Sequence, residues 1–122
     1  MSKAILIAVC AIGSLMSAAP ADAQSRPSWC STQKNQNAAE RTICAKQDLW
    51  PLDAQLSLIF ASALKSVGKE RGQLQKSQAD WIRVTRNGCN DDDSCLQDVY
   101  QRRIDIVRSI DNRGSIAPNG TH

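Results

Sequence analysis

The sequence is poor in the side chains that do chemistry. Its only histidine is His122, the last residue, so serine–histidine and cysteine–histidine arrangements have nothing to build on. No Cys-x-x-Cys occurs, which removes a thioredoxin-type redox site and, with histidine missing from the body of the chain, the usual zinc signatures. Aromatic residues make up 4% of the chain (three Trp, one Tyr, one Phe), few large anchors for a core. Lys and Arg total 15 against 12 acids, but they are scattered, and no basic run tracks a phosphate backbone. Nucleic acid is therefore not an expected partner. No alternating strand pattern and no internal repeat interrupt the helical periodicities. Beyond the N-terminus no apolar run is long enough to span a bilayer.

What is present begins with an export signal. Lys3 supplies a positive start, Ala4 to Ala19 an apolar stretch, and Ala21-Asp22-Ala23 a small-x-small cleavage site. The stretch is about 16 residues, short of the ~20 a spanning helix needs. Residues 1–23 are read as a cleavable secretory signal, and Gln24 as the first mature residue. Cys10 is not expected to carry lipid, because Val9 stands where a lipobox wants a small residue. Losing Lys3 and Asp22 with the signal leaves the net charge at +3. The expected location is periplasmic or secreted, with no membrane insertion once the signal is removed.

Of five cysteines, Cys30, Cys44, Cys89 and Cys95 then remain. An even number in a short exported chain predicts two disulfides, with three pairings open. The sequence-local choice is Cys30–Cys44 and Cys89–Cys95. Staples are needed, since a core this small contributes only a few kcal/mol net.

The periodicities predict an all-α, three- to four-helix bundle over residues 24–111, with a disordered tail over 112–122. Asn37 and Glu40 form a capping box for a short helix running to about Lys46. Asp48 is the next expected cap, Pro51 falls in the first turn, and Leu52, Leu56, Ile59, Phe60, Ala63 and Val67 form one apolar face ending at Gly68. A third helix covers about 69–87 with Leu74, Gln78, Trp81, Ile82 and Thr85 on one side. Leu96, Val99, Tyr100, Arg103, Ile104, Val107 and Ile110 give the last helix.

Asp91, Asp92 and Asp93 are the only acidic run. A calcium loop is excluded, because the sixth and twelfth positions from Asp91 are Leu96 and Arg102 rather than Gly and Glu. One of Asp92 and Asp93 is expected to cap the last helix. The remaining members are the candidate partner-binding surface. Arg103 borders an inward face and needs a carboxylate there, with Glu40 and Asp53 beside core positions. Glu40, Asp53, Trp81, Tyr100 and Arg103 are thus expected as core and ion-pair residues. Glu40, Asp53, Asp80 and Asp98 lie on separate segments, with no spacing that pairs two for glycosidic chemistry. No enzyme, cofactor or metal is expected.

Glu40-x-x-Ile43-Cys44, Leu49-x-x-Leu52-Asp53, Gln78-x-x-Trp81-Ile82 and Cys95-x4-Tyr100-x-x-Arg103-Ile104 together resemble the N-terminal domain of the LprI-type lysozyme inhibitors, from about Cys30 to Ile110. Lys46-Gln47 departs from the Ser-Pro many members carry after the cysteine. The resemblance implies an exported binding protein that inhibits lysozyme. The alternative is a periplasmic structural or adaptor protein that binds another envelope component and inhibits nothing. The motif residues read as core, cap and disulfide positions, which specify a fold rather than an activity.

Overall fold

The computed structural model describes residues 25–117 and, isolated ahead of them, residue 13. The expected signal, its cleavage site and Cys10 lie outside the described residues, as does 118–122. Among the described residues the chain is helical without strands, as the periodicities predict. Helix α1 (Trp29–Thr32) is a single turn, followed by α2 (Ala38–Ala45), α3 (Trp50–Ser66), α4 (Arg71–Asp80) and α5 (Asp93–Arg113).

Asn37 and Glu40 make the expected capping box at α2: the Glu40 N–H donates to Asn37 Oδ1 at 2.9 Å, and the Asn37 N–H donates to Glu40 Oε1 at 3.0 Å. Two orphan amides of the helix start are satisfied reciprocally. The disulfide Cys30–Cys44, with its Cα atoms 5.7 Å apart, fastens α1 to the end of α2. A 3₁₀ turn over Gln47–Leu49 then swings Leu49 fully into the core. Here the structure corrects the expected cap. Asp48 sits within that turn and accepts from Gln97 Nε2 at 2.6 Å, while α3 starts without a side-chain cap. Pro51 does fall in the first turn of α3, where its missing N–H leaves nothing unsatisfied.

Helices α3 and α5 form the main interface. Leu56 and Ala63 are buried on α3, with Leu52, Ile59, Phe60 and Leu64 packed beside them. On α5, Leu96, Tyr100, Arg103, Ile104, Val107 and Ile110 follow one another at three- and four-residue steps. That stripe faces the bundle, and the exposed side carries Gln, Asp and Arg. Gly114 caps α5 in the left-handed conformation, φ +66°, where a Cβ would meet the Ser66 carbonyl at 3.3 Å.

Helix α5 runs through Asn112 and Arg113, past the expected boundary at residue 111. Glu70 then accepts from Ser115 Oγ at 3.1 Å and from the Ile116 N–H at 3.2 Å. Ile116 packs against the core, so 112–116 belongs to the folded body rather than to a disordered tail. At the other end of α5, Asp92 is the N-cap, accepting from the Cys95 N–H at 3.1 Å. The second disulfide, Cys89–Cys95, closes the turn that delivers it. Both pairings are the local ones.

The predicted third helix is divided. After Asp80 the backbone widens into a π-helical turn over Trp81–Arg86. A π turn bonds i to i+5, so it holds one more residue than an α turn and shifts every later side chain around the axis. Thr85, expected on the inner face, is exposed, and Arg86 is buried in its place.

Candidate functional site

A solvent-open groove of about 530 Å³ lies between α1, α2, α3, the α4–π segment and α5. Its apolar walls come from Leu56 and Phe60 on α3 and from Trp81 and Ile82 at the start of the π turn. Trp29, presented by the single turn that the Cys30–Cys44 bond pins in place, closes one side. A second depression of about 290 Å³, reaching Arg26 and Trp50, shares Trp29, Asp53 and Ser57 with the first. Trp29 is thus a partition, and Asp53 borders both hollows.

One polar corner of the groove is a buried ion pair. Arg86 Nη2 lies 3.5 Å from Glu40 Oε2, with side chains only 8% and 9% exposed. Removing one member would strand the other charge in a poorly solvated place. Glu40 is held by its capping-box bond to the Asn37 N–H and by Gln33 Nε2. Arg86 is oriented by its Nε donating to Asn87 Oδ1 at 3.1 Å, and its guanidinium stands 5.5 Å from the Trp29 ring centroid. That distance suits a cation over an indole face. The π turn is what brings Arg86 here. With α spacing, Thr85 would take the inner position.

The second polar corner is Asp53 with Tyr100. The Tyr100 hydroxyl donates to Asp53 Oδ1 at 2.8 Å, and Trp29 Nε1 donates to Oδ2 at 3.4 Å. Burial, and then the Asp53 charge, push the Tyr100 phenol far above its usual 10.0, so it stays a neutral donor. Trp81 meets Tyr100 edge-on, centroids 5.3 Å apart and planes at 77°, the favourable T-shaped contact. Trp81 is 9% exposed, buried as its helical face predicts.

Arg103 does not form the ion pair that the sequence predicts. Among the described residues it meets no carboxylate. Its Nε donates to Gln78 Oε1 at 2.8 Å and its Nη2 to Ser77 Oγ at 3.0 Å. Burial depresses its basicity, and the two neutral acceptors take up two of its N–H donors without cancelling its charge. Glu40 is ion-paired, but with Arg86, and Asp53 is hydrogen-bonded rather than paired. Residue-by-residue reading missed Arg86, Trp29 and Gln33. The only hint for Arg86 was the crowded β-branched run Ile82-x-Val84-Thr85, which an α-helix accommodates less well.

The acidic run lies elsewhere. Asp92 is the cap, Asp93 accepts from Gln97 Nε2 at 3.3 Å, and Asp91 borders a shallow hollow that also contains Arg41 and Lys46. Two bases beside Asp91 offset the negative field the sequence suggests.

The groove combines aromatic walls with two polar corners. Its titratable groups are held in hydrogen bonds or an ion pair, and the four cysteines of the described region are locked in disulfides. Among the described residues no cluster of His, Cys, Asp or Glu could hold a metal ion, and no helix is long and apolar enough to cross a membrane. No curated protein and no solved structure matches the chain. The family model described as lysozyme inhibitor LprI matches residues 30–119, spanning both disulfides and every residue of the groove but Trp29, and the chain belongs to that family.

Proposed function

We propose that the chain is an exported binding protein that inhibits lysozyme, and that the groove is its recognition surface. One observation carries this reading. Glu40, Asp53, Gln78, Trp81 and Tyr100, residues on which the family resemblance rests, line a single depression open to solvent. Tyr100, Trp81 and Glu40 are buried and form its floor, while Asp53 and Gln78 are half-buried at its wall. These combine aromatic surface with oriented hydrogen-bonding groups at an opening, the usual make-up of a binding site. Two disulfides support an oxidising, extracytoplasmic setting.

The test is lysozyme turnover of cell-wall substrate with and without the purified, oxidised protein, at low and at moderate salt. Dose-dependent inhibition that is weakened by groove substitutions supports the reading. Full lysozyme activity at saturating protein would contradict it and leave an envelope adaptor as the better description.

A further inference from the structure

We propose that the groove receives an arginine side chain presented by its protein partner, with Asp53 as the carboxylate that receives it. This deepens the reading above and rests on it. The charges in the groove do not cancel. Glu40 and Asp53 bring two carboxylates, and among the described residues the one cation lining it, Arg86, is paired with Glu40 and also acts on the Tyr100 hydroxyl. Among the described residues Asp53 is bonded to neutral donors, the Tyr100 hydroxyl and the Trp29 indole, and no cation lies within ion-pair distance of it. A carboxylate has about four lone-pair positions. Each oxygen of Asp53 uses one, so both keep capacity for another donor.

The surroundings favour a guanidinium over a compact ammonium. Phe60 and Trp29, both half-buried, offer aromatic surface on which a flat, weakly hydrated cation can lie. Leu56 and Ile82 can cover the aliphatic stem of such a side chain. Gln78 Oε1 is occupied by Arg103, which fixes the amide at the groove wall. The opening to solvent suits a side chain carried in on a protruding loop. A basic partner also explains how a protein of net charge +3 could engage it: the attraction is local, at a site whose lining sums to a negative charge.

The experiment uses the oxidised protein and four capped tripeptides with Arg, Lys, citrulline or Glu at the centre, followed by the indole N–H resonances of Trp29, Trp81 and Trp50. The Arg peptide is expected to shift the Trp29 resonance saturably, with Trp50 less affected. Citrulline, which keeps the shape and loses the charge, should bind about tenfold more weakly, and Asp53→Asn should weaken the Arg peptide by about the same factor, the size of one charge-assisted bond. Asp105→Asn, the same charge change on the exposed side of α5, should leave binding unchanged. Equal binding of Arg and citrulline, no Trp29 shift with any peptide, or preference for an N-acetylglucosamine oligomer added in a fifth arm would each overturn the proposal. Lysozyme inhibition measured on the same samples keeps the two claims apart. Inhibition without Arg preference removes this inference alone, and Arg binding without inhibition removes lysozyme as the partner.

Discussion

Two acidic regions of this bundle have opposite fates. Asp91, Asp92 and Asp93 are adjacent in sequence and sit at the surface, where they are used locally: one caps α5, one meets Gln97, and one lies near Arg41 and Lys46. Glu40 and Asp53 come from different helices and meet partners far along the chain, Arg86 and Tyr100, at a groove. The difference shows that a run of like charges in sequence need not be a charged site in space. Neighbours in sequence at a helix start are recruited by its unpaired amides. A site is built where long-range packing gathers groups that the core then holds in place.

If this contrast is right, damage to the groove should cost much more than damage to the acidic run. The largest effect is expected from Trp81→Ala, which removes the edge contact to Tyr100 and a core wall at a cost of about 3–5 kcal/mol. Against a total stability of about 5–15 kcal/mol for a domain, urea denaturation should show a much lower midpoint or no folded baseline. An unchanged midpoint would mean that the indole is not part of the core.

Arg86→Met should cost about 3 kcal/mol, because Glu40 stays buried without its cation. The double change Glu40→Gln with Arg86→Met should be less damaging than the sum of the two single changes, since no stranded charge remains. Strict additivity in a urea double-mutant cycle would show that the two side chains do not interact.

Replacing Cys89 and Cys95 together by Ser should cost about 2 kcal/mol for so short a loop. Melting should fall while the groove residues stay in place, because the staple lies at the acidic turn. At the small end, Asp91→Asn with Asp93→Asn should change stability by no more than about 1 kcal/mol, since Asp92 retains the cap and only the electrostatics of the helix end are weakened. A larger loss by calorimetry would mean that the run supports the fold more broadly than its contacts suggest.

The phenol offers a check of the groove that needs no mutation. Tyr100 is the only tyrosine, so the rise of phenolate absorbance reports one group. Its folded-state pKa is raised above the unfolded value, so the stability it contributes is present below the usual 10.0 and is lost as pH climbs beyond it. Phenolate absorbance should therefore appear together with unfolding in alkaline solution. Titration near the usual value with the helices intact would place the hydroxyl in solvent.

Much of the scaffold was legible because it is local. The capping box at Asn37 and Glu40, the proline-tolerant start of α3, the stripe on α5 and the two short-range disulfides each depend on residues near one another in sequence. The groove was only half legible. Glu40, Asp53, Trp81 and Tyr100 stood out as inward residues, yet nothing in their spacing says that they share one opening. Arg86 was hidden because a 3.6-residue period selects Thr85, and the π turn adds the residue that reverses the choice. Trp29 was hidden because it precedes the periodic segments and is held by a disulfide instead of a long helix. For Arg103 the general rule for buried cations points to a carboxylate, and the amide and hydroxyl on α4 answer the same need.

The groove and the acidic run are the two surfaces a partner could meet, and a side-by-side lysozyme inhibition curve for the native protein, Asp53→Asn, and the double change Asp91→Asn with Asp93→Asn separates them. With folding of all three verified by circular dichroism, Asp53→Asn should shift half-inhibition to about tenfold higher protein, and the double change should superimpose on the native curve. The reverse order, with Asp53→Asn unchanged and the double change losing inhibition, would place recognition at the acidic turn instead of the groove.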